Sequence, residues 1–174
     1  MFVHTRRERE VAVGTWLLLS AQSADRARME WKKGGIALLR CGALFAAIRM
    51  NGDLVRAAAD TDDAERVDAF LEEALCGGPV FVDQHSAQYY ALVPASMQDR
   101  REWRERRHLD GTKCLGRDSY LGVPRPEFTE PDHHFSYWCV SMDGPGDLCP
   151  VEAVSQLVTY GQYRLATAEA RSGA

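Results

Sequence analysis

Val80, Phe81 and Val82 are three consecutive apolar residues, and a second apolar run follows at 87–93 after the polar break Gln84, His85 and Ser86. Both runs are rich in Val, Phe and Tyr and are bounded by Gly or Pro, so the pattern predicts a β-hairpin over 79–83 and 87–93. A strand apolar at every position has both faces covered, which places it inside a sheet. The rest of the chain is read around this hairpin.

Ser23 suits the N-cap of a helix over 24–33 with Ala24, Ala27 and Trp31 on one face. Lys32 and Lys33 match its negative end, and Gly34-Gly35 stops it. Residues 36–39 and 43–49 read as two strands around Arg40-Cys41-Gly42. Asp53 can cap a short helix over 54–59. A longer helix over 63–75 shows Ala64, Val67, Phe70, Leu71, Ala74 and Leu75 at helical spacing, with Asp62 and Glu65 as a capping box. Strands follow at 120–123 and 135–142. A last helix starts near Pro150, turns Val151, Val154, Leu157 and Val158 inward, and ends near Gly161. This order predicts an α+β fold: one domain over 11–161, with a mixed or mostly antiparallel sheet of about five to six strands covered by helices. Residues 1–10 read as a flexible N-terminus and 162–174 as a C-terminal tail.

At 174 residues the chain is long enough for a substantial core, and 45% apolar with 26% charged residues is ordinary for a globular protein. A net charge of −4 supplies no overall field for nucleic acid or an anionic membrane. Cys41, Cys76, Cys114, Cys139 and Cys149 are odd in number and include no Cys-x-x-Cys pair, which reads as reduced thiols in the cytoplasm. Basic residues ahead of the apolar stretch 11–19 imitate a signal peptide. Glu8 and Glu10 offset the arginines, however, and Gly14, Thr15 and Trp16 interrupt the stretch. Nine residues also fall short of the about 20 needed to span a bilayer as a helix. A buried strand or short helix is the better reading, and no membrane association is expected.

His108, Cys114, His133, His134, Cys139 and Cys149 are candidate zinc ligands, but a strand over 133–139 would set His133 and Cys139 roughly 20 Å apart. Cys139 beside Trp138 has no electropositive neighbour to activate it, and His85-Ser86 lacks a Gly-x-Ser-x-Gly setting. No phosphate-cradling glycine loop occurs. Two surface sets remain. Arg100, Arg101, Trp103, Arg104 and Arg107, joined by Arg117 and Arg125, combine cations with an aromatic ring, as nucleic-acid contacts do, although Asp99, Glu102, Glu105 and Asp110 offset much of the charge. Tyr120, Pro124, Pro126, Tyr137 and Trp138 could line a contact edge for a partner.

Several segments together resemble small uncharacterised actinobacterial proteins of the Streptomyces type. They are Trp31 with 34–42 (Gly-Gly-Ile-Ala-Leu-Leu-Arg-Cys-Gly), 45–49, 78–81 with 89–94, 115–126 and 142–149. The order of a glycine-containing strand, a hairpin and a later proline segment is also similar to the N-terminal domain of bifunctional primase–polymerases. That second resemblance implies a nucleotidyl-transfer fold, whose two divalent ions need paired carboxylates on a strand. The matching strand, 43–49, holds no acid, and Gln88 stands where a basic or histidine residue is expected. No catalytic residue, metal or cofactor is therefore assigned. The chain reads as a non-enzymatic cytosolic binding protein, with a role in actinobacterial mobile-element or regulatory biology implied by the resemblance alone. Its partner is expected to be a protein, a second copy of the chain included. The alternative is a nucleic-acid-binding module on a primase–polymerase fold that has lost its carboxylates.

Overall fold

Thr5-Arg-Arg-Glu8 is a capping box, and it starts the first helix earlier than the hydrophobic pattern does. The Glu8 N–H donates to Thr5 Oγ1 (3.2 Å), and the Thr5 N–H donates to Glu8 Oε2 (2.6 Å). Residues 6–10, expected to be flexible, are thus the opening turns of α1 (Arg6–Leu18). The computed structural model describes residues 4–105 and 111–173.

Ser23 caps α2 (Ala24–Gly34) by accepting the Arg26 N–H at 3.3 Å. Gly35 closes the helix in the left-handed region (φ 74°), donating its N–H to the Trp31 carbonyl. Strands β1 (Ile36–Arg40) and β2 (Phe45–Asn51) follow, then α3 (Gly52–Ala59) and α4 (Ala64–Ala74). The cap of α3 is Asn51 and not Asp53, and Asp63 rather than Asp62 caps α4, accepting the Arg66 N–H. The hairpin is β3 (Val80–Asp83) and β4 (Gln88–Pro94). A 3-10 turn (Ala95–Asp99) and α5 (Arg101–Glu105) lead to β5 (Thr112–Leu115), a strand that escaped the hydrophobic pattern. The chain ends with β6 (Tyr120–Pro124), β7 (Ser136–Val140) and α6 (Val151–Ser172).

Five strands form one antiparallel sheet in the order β5-β2-β4-β3-β7, so the hairpin sits mid-sheet as predicted. β1 and β2 do not share a sheet. β1 instead pairs with β6 as a separate antiparallel ribbon. Both faces of the main sheet are covered, which explains the unbroken apolar runs. One face buries Ala46, Ile48 and Met50 against Leu54, Val67, Leu71, Val154 and Val158 of α3, α4 and α6. The other buries Phe45, Ala47, Phe81 and Leu92 against Leu17, Ala27, Trp31, Leu39 and Val123 of α1, α2 and the ribbon. Among the described residues, no helix is long and apolar enough to cross a membrane.

Gly161 does not end the last helix; α6 runs on to Ser172 through the segment expected to be a tail. The glycine serves close approach. A Cβ at 161 would lie 2.6 Å from Leu54 Cδ2 and 2.9 Å from the Leu54 carbonyl oxygen, where α6 crosses α3. Replacing a mid-helix glycine with alanine gains about 1 kcal/mol of helix propensity, while overpacking against backbone costs about 1–3 kcal/mol. Gly161→Ala is therefore expected to lower the urea midpoint without changing the slope of the transition. A raised midpoint would show that the crossing has room to spare.

Candidate functional site

β7 is an edge strand, hydrogen-bonded to β3 on one side. Its pairing carries a β-bulge: Val80 faces Val140 and Phe81 faces Trp138, leaving Cys139 without a partner of its own. The extra residue resets the alternation. Tyr137 and Val140 both enter the core under α4 and α6, whereas Trp138 and Met142 enter the opposite one.

Along the outer side of β7 lies a groove of about 1010 Å³. Its walls are the first turns of α1, the turn after α4 and the loop 141–150. Gly78 is what lets that loop close down, because a Cβ there would meet Cys149 Cα and Sγ at 2.6 Å. The loop is then fixed by the Cys149 N–H donating to the Leu92 carbonyl (2.8 Å) and by its thiol donating to the Pro79 carbonyl (3.3 Å). On the rim Arg6 pairs with Glu10 (2.8 Å) and Arg9 with Asp143 (3.4 Å). Glu72 and Asp147 on the same rim form no ion pair among the described residues. The groove is thus polar and net acidic at its margin, with an apolar floor at Trp138, Val140 and Met142.

Behind the floor is a small buried polar cluster. The Tyr137 hydroxyl donates to Asp68 Oδ2 (3.1 Å) and Oδ1 (3.4 Å). Burial raises the Asp68 carboxyl above its ordinary value, opposed by hydrogen bonds from Cys139 and Tyr137. Burial, reinforced by the nearby Asp68 charge, pushes the Cys139 thiol far above its usual range, and burial pushes Cys149 up to about 12. Thiols held neutral in this way behave as small apolar groups rather than nucleophiles. Among the described residues, no group of three or more His, Cys, Asp or Glu side chains is placed to hold a metal ion. His134 stacks on Phe128 and His85 on Phe135.

The residues expected to carry binding are dispersed. Arg100 pairs with Glu102 and Glu152, Arg101 with Glu105, Arg117 with Asp99, and Arg125 with Glu127. Arg104 lies on α5 near Asp99, and Arg107 lies outside the described residues. Trp103 is not a stacking platform: it is 4% exposed, and its indole N–H donates to Ser155 Oγ of α6. The contact edge expected from prolines and aromatics is likewise not assembled. Tyr137 and Trp138 are buried on opposite faces of β7, Pro124 and Pro126 are buried, and of the five only Tyr120 is well exposed. Trp138 and Pro126 do line the groove, on its inner side. The reason is the ribbon: β6 lies against β7, so what resembled an edge is the seam between two sheets.

Comparisons of the chain with protein-family models, with curated proteins and with solved structures find no match. The groove itself could not be read from composition, since it arises where segments more than one hundred residues apart, α1 and the 141–150 loop, meet across β7. The Gly77-Gly78 pair was its one local signal.

Because the folded protein binds the Asp68 proton more tightly than the unfolded chain, this carboxyl favours folding below its ordinary value of 3.8 and loses that contribution as pH rises through the raised value. The melting temperature of the wild type relative to Asp68→Asn should therefore climb as pH falls from 7 to 4. A difference that stays constant over that interval would mean the carboxyl is not desolvated.

Proposed function

We propose that this protein is a non-enzymatic, cytosolic binding module that holds an extended segment of a partner protein in the groove beside β7. The observation that supports this most is an edge strand flooring a groove of about 1010 Å³ with an apolar base and an acidic rim. The Trp138 N–H on the outer edge of β7 is already taken by the Phe128 carbonyl, so the groove's pockets and rim charges, rather than continuous strand pairing, hold the segment and select its side chains. Glu72 and Asp147 favour a basic residue in that segment. A protein is preferred over nucleic acid because the groove margin is net acidic and, away from it, Arg100, Arg101, Arg117 and Arg125 are paired with neighbouring carboxylates.

Ser141 is exposed, borders the groove and lies just beyond β7, so Ser141→Trp would fill the groove without touching the core. Peptides selected from a random display library on the wild type should bind Ser141→Trp at least tenfold more weakly, with an unchanged melting temperature. A library that yields no binder, or binders indifferent to the substitution, would refute the assignment.

A further inference from the structure

We propose a second site, on the open end of the five-stranded sheet, that binds a phosphate-bearing ligand between Arg49 and Lys113 beside the ring of Tyr90. It stands independently of the groove, since Tyr90 is near the N-terminal end of β4 while the groove reaches its last residue, Pro94.

Alternation along the strands sets the site. On β2, Phe45 and Ala47 face α1, α2 and the ribbon, so Arg49 faces the same way. Register places Arg49 opposite both Tyr90 of β4 and Lys113 of β5, and Phe81 opposite Tyr90. The four side chains form one row across the sheet. The covering helices and ribbon bury Phe81 but stop short of its neighbours: Arg49 and Tyr90 are half-buried and Lys113 is exposed. Tyr90 stacks flat on Phe81, with ring centroids 4.9 Å apart and planes 18° from parallel.

Two cations directly opposite each other on paired strands destabilise a sheet. Among the described residues no ion pair relieves the repulsion: neither Arg49 nor Lys113 has a carboxylate within ion-pair distance. The acid on the same face, Asp83, lies on β3, two strands from Arg49, and is engaged by the His85 N–H, the Ser86 N–H and the Ser86 hydroxyl. A half-buried guanidinium and an ammonium set opposite each other, with no ion-paired acid among the described residues, match the fork-and-point-charge pattern that grips a phosphate. The adjacent tyrosine ring, backed by Phe81, suits a planar base attached to that phosphate. A nucleotide and a nucleic-acid single strand share this chemistry.

Thermal melts of the full chain distinguish the sources, using inorganic phosphate, a nucleoside monophosphate and an eight-residue oligothymidylate, each against chloride at equal ionic strength. At least one is expected to raise the wild-type midpoint saturably. The one that does names the source: phosphate alone, mononucleotide or strand. Arg49→Gln and Lys113→Gln should each weaken that ligand roughly tenfold, the loss of one charge-assisted hydrogen bond. Without ligand, each variant should melt no lower than the wild type, because the repulsion is gone. The proposal is overturned if none of the three exceeds chloride, if both variants keep the full shift, or if both melt well below the wild type in plain buffer.

Discussion

Trp138 joins the two sheets. Its ring meets Phe81 edge-on at 5.2 Å inside the main sheet, its indole N–H donates to the Pro124 carbonyl of the ribbon (3.1 Å), and its backbone N–H donates to Phe128 (2.7 Å). Trp31 of α2 donates to the adjacent Val123 carbonyl at 2.9 Å. Two indoles thus clamp consecutive carbonyls of β6. Each satisfies a buried donor that would otherwise cost about 1–3 kcal/mol. The ribbon has only two strands, too few to be stable alone, so its position depends on this clamp. The groove depends on it too, because the same tryptophan forms part of the floor.

The bulge at Cys139 makes the clamp compatible with a continuous core. Strict alternation would send Val140 to the side of Trp138. The extra residue sends it instead to the side of Tyr137, so both cores remain filled on either side of one strand. Such bulges recur at sheet edges, where they re-aim side chains. This one also sets Cys139 beside Asp68, in a setting that keeps the thiol protonated.

Much of the architecture was legible because local chemistry and tertiary demand agree there. The hairpin, the Ser23 and Gly35 caps of α2 and the apolar face of α4 all follow from residue type and spacing. Thr5-x-x-Glu8 was equally readable, yet the polar composition around it argued for fraying. β5 was hidden by its length, although Gly111 and Gly116 bracket it. What no local pattern carries is partnership between distant segments: β1 choosing β6 over β2, Gly161 marking a helix crossing, and Trp138 turning inward. The aromatic and proline residues looked like a contact edge because their burial depends on a ribbon contributed from two remote parts of the chain. Arg49 was visible only as the end of a strand without acids; Lys113 opposite it emerges from register alone.

The exchange rate of the Trp138 backbone amide tests the clamp most directly. If the two sheets share one cooperative unit through this residue, its exchange free energy under native conditions should equal that of the β4 core amides, both set by global unfolding. Exchange of Trp138 through a cheaper local opening, with β4 still protected, would show that the segment after β6 that carries Phe128 lifts from β7 on its own and that the seam does not hold the fold together.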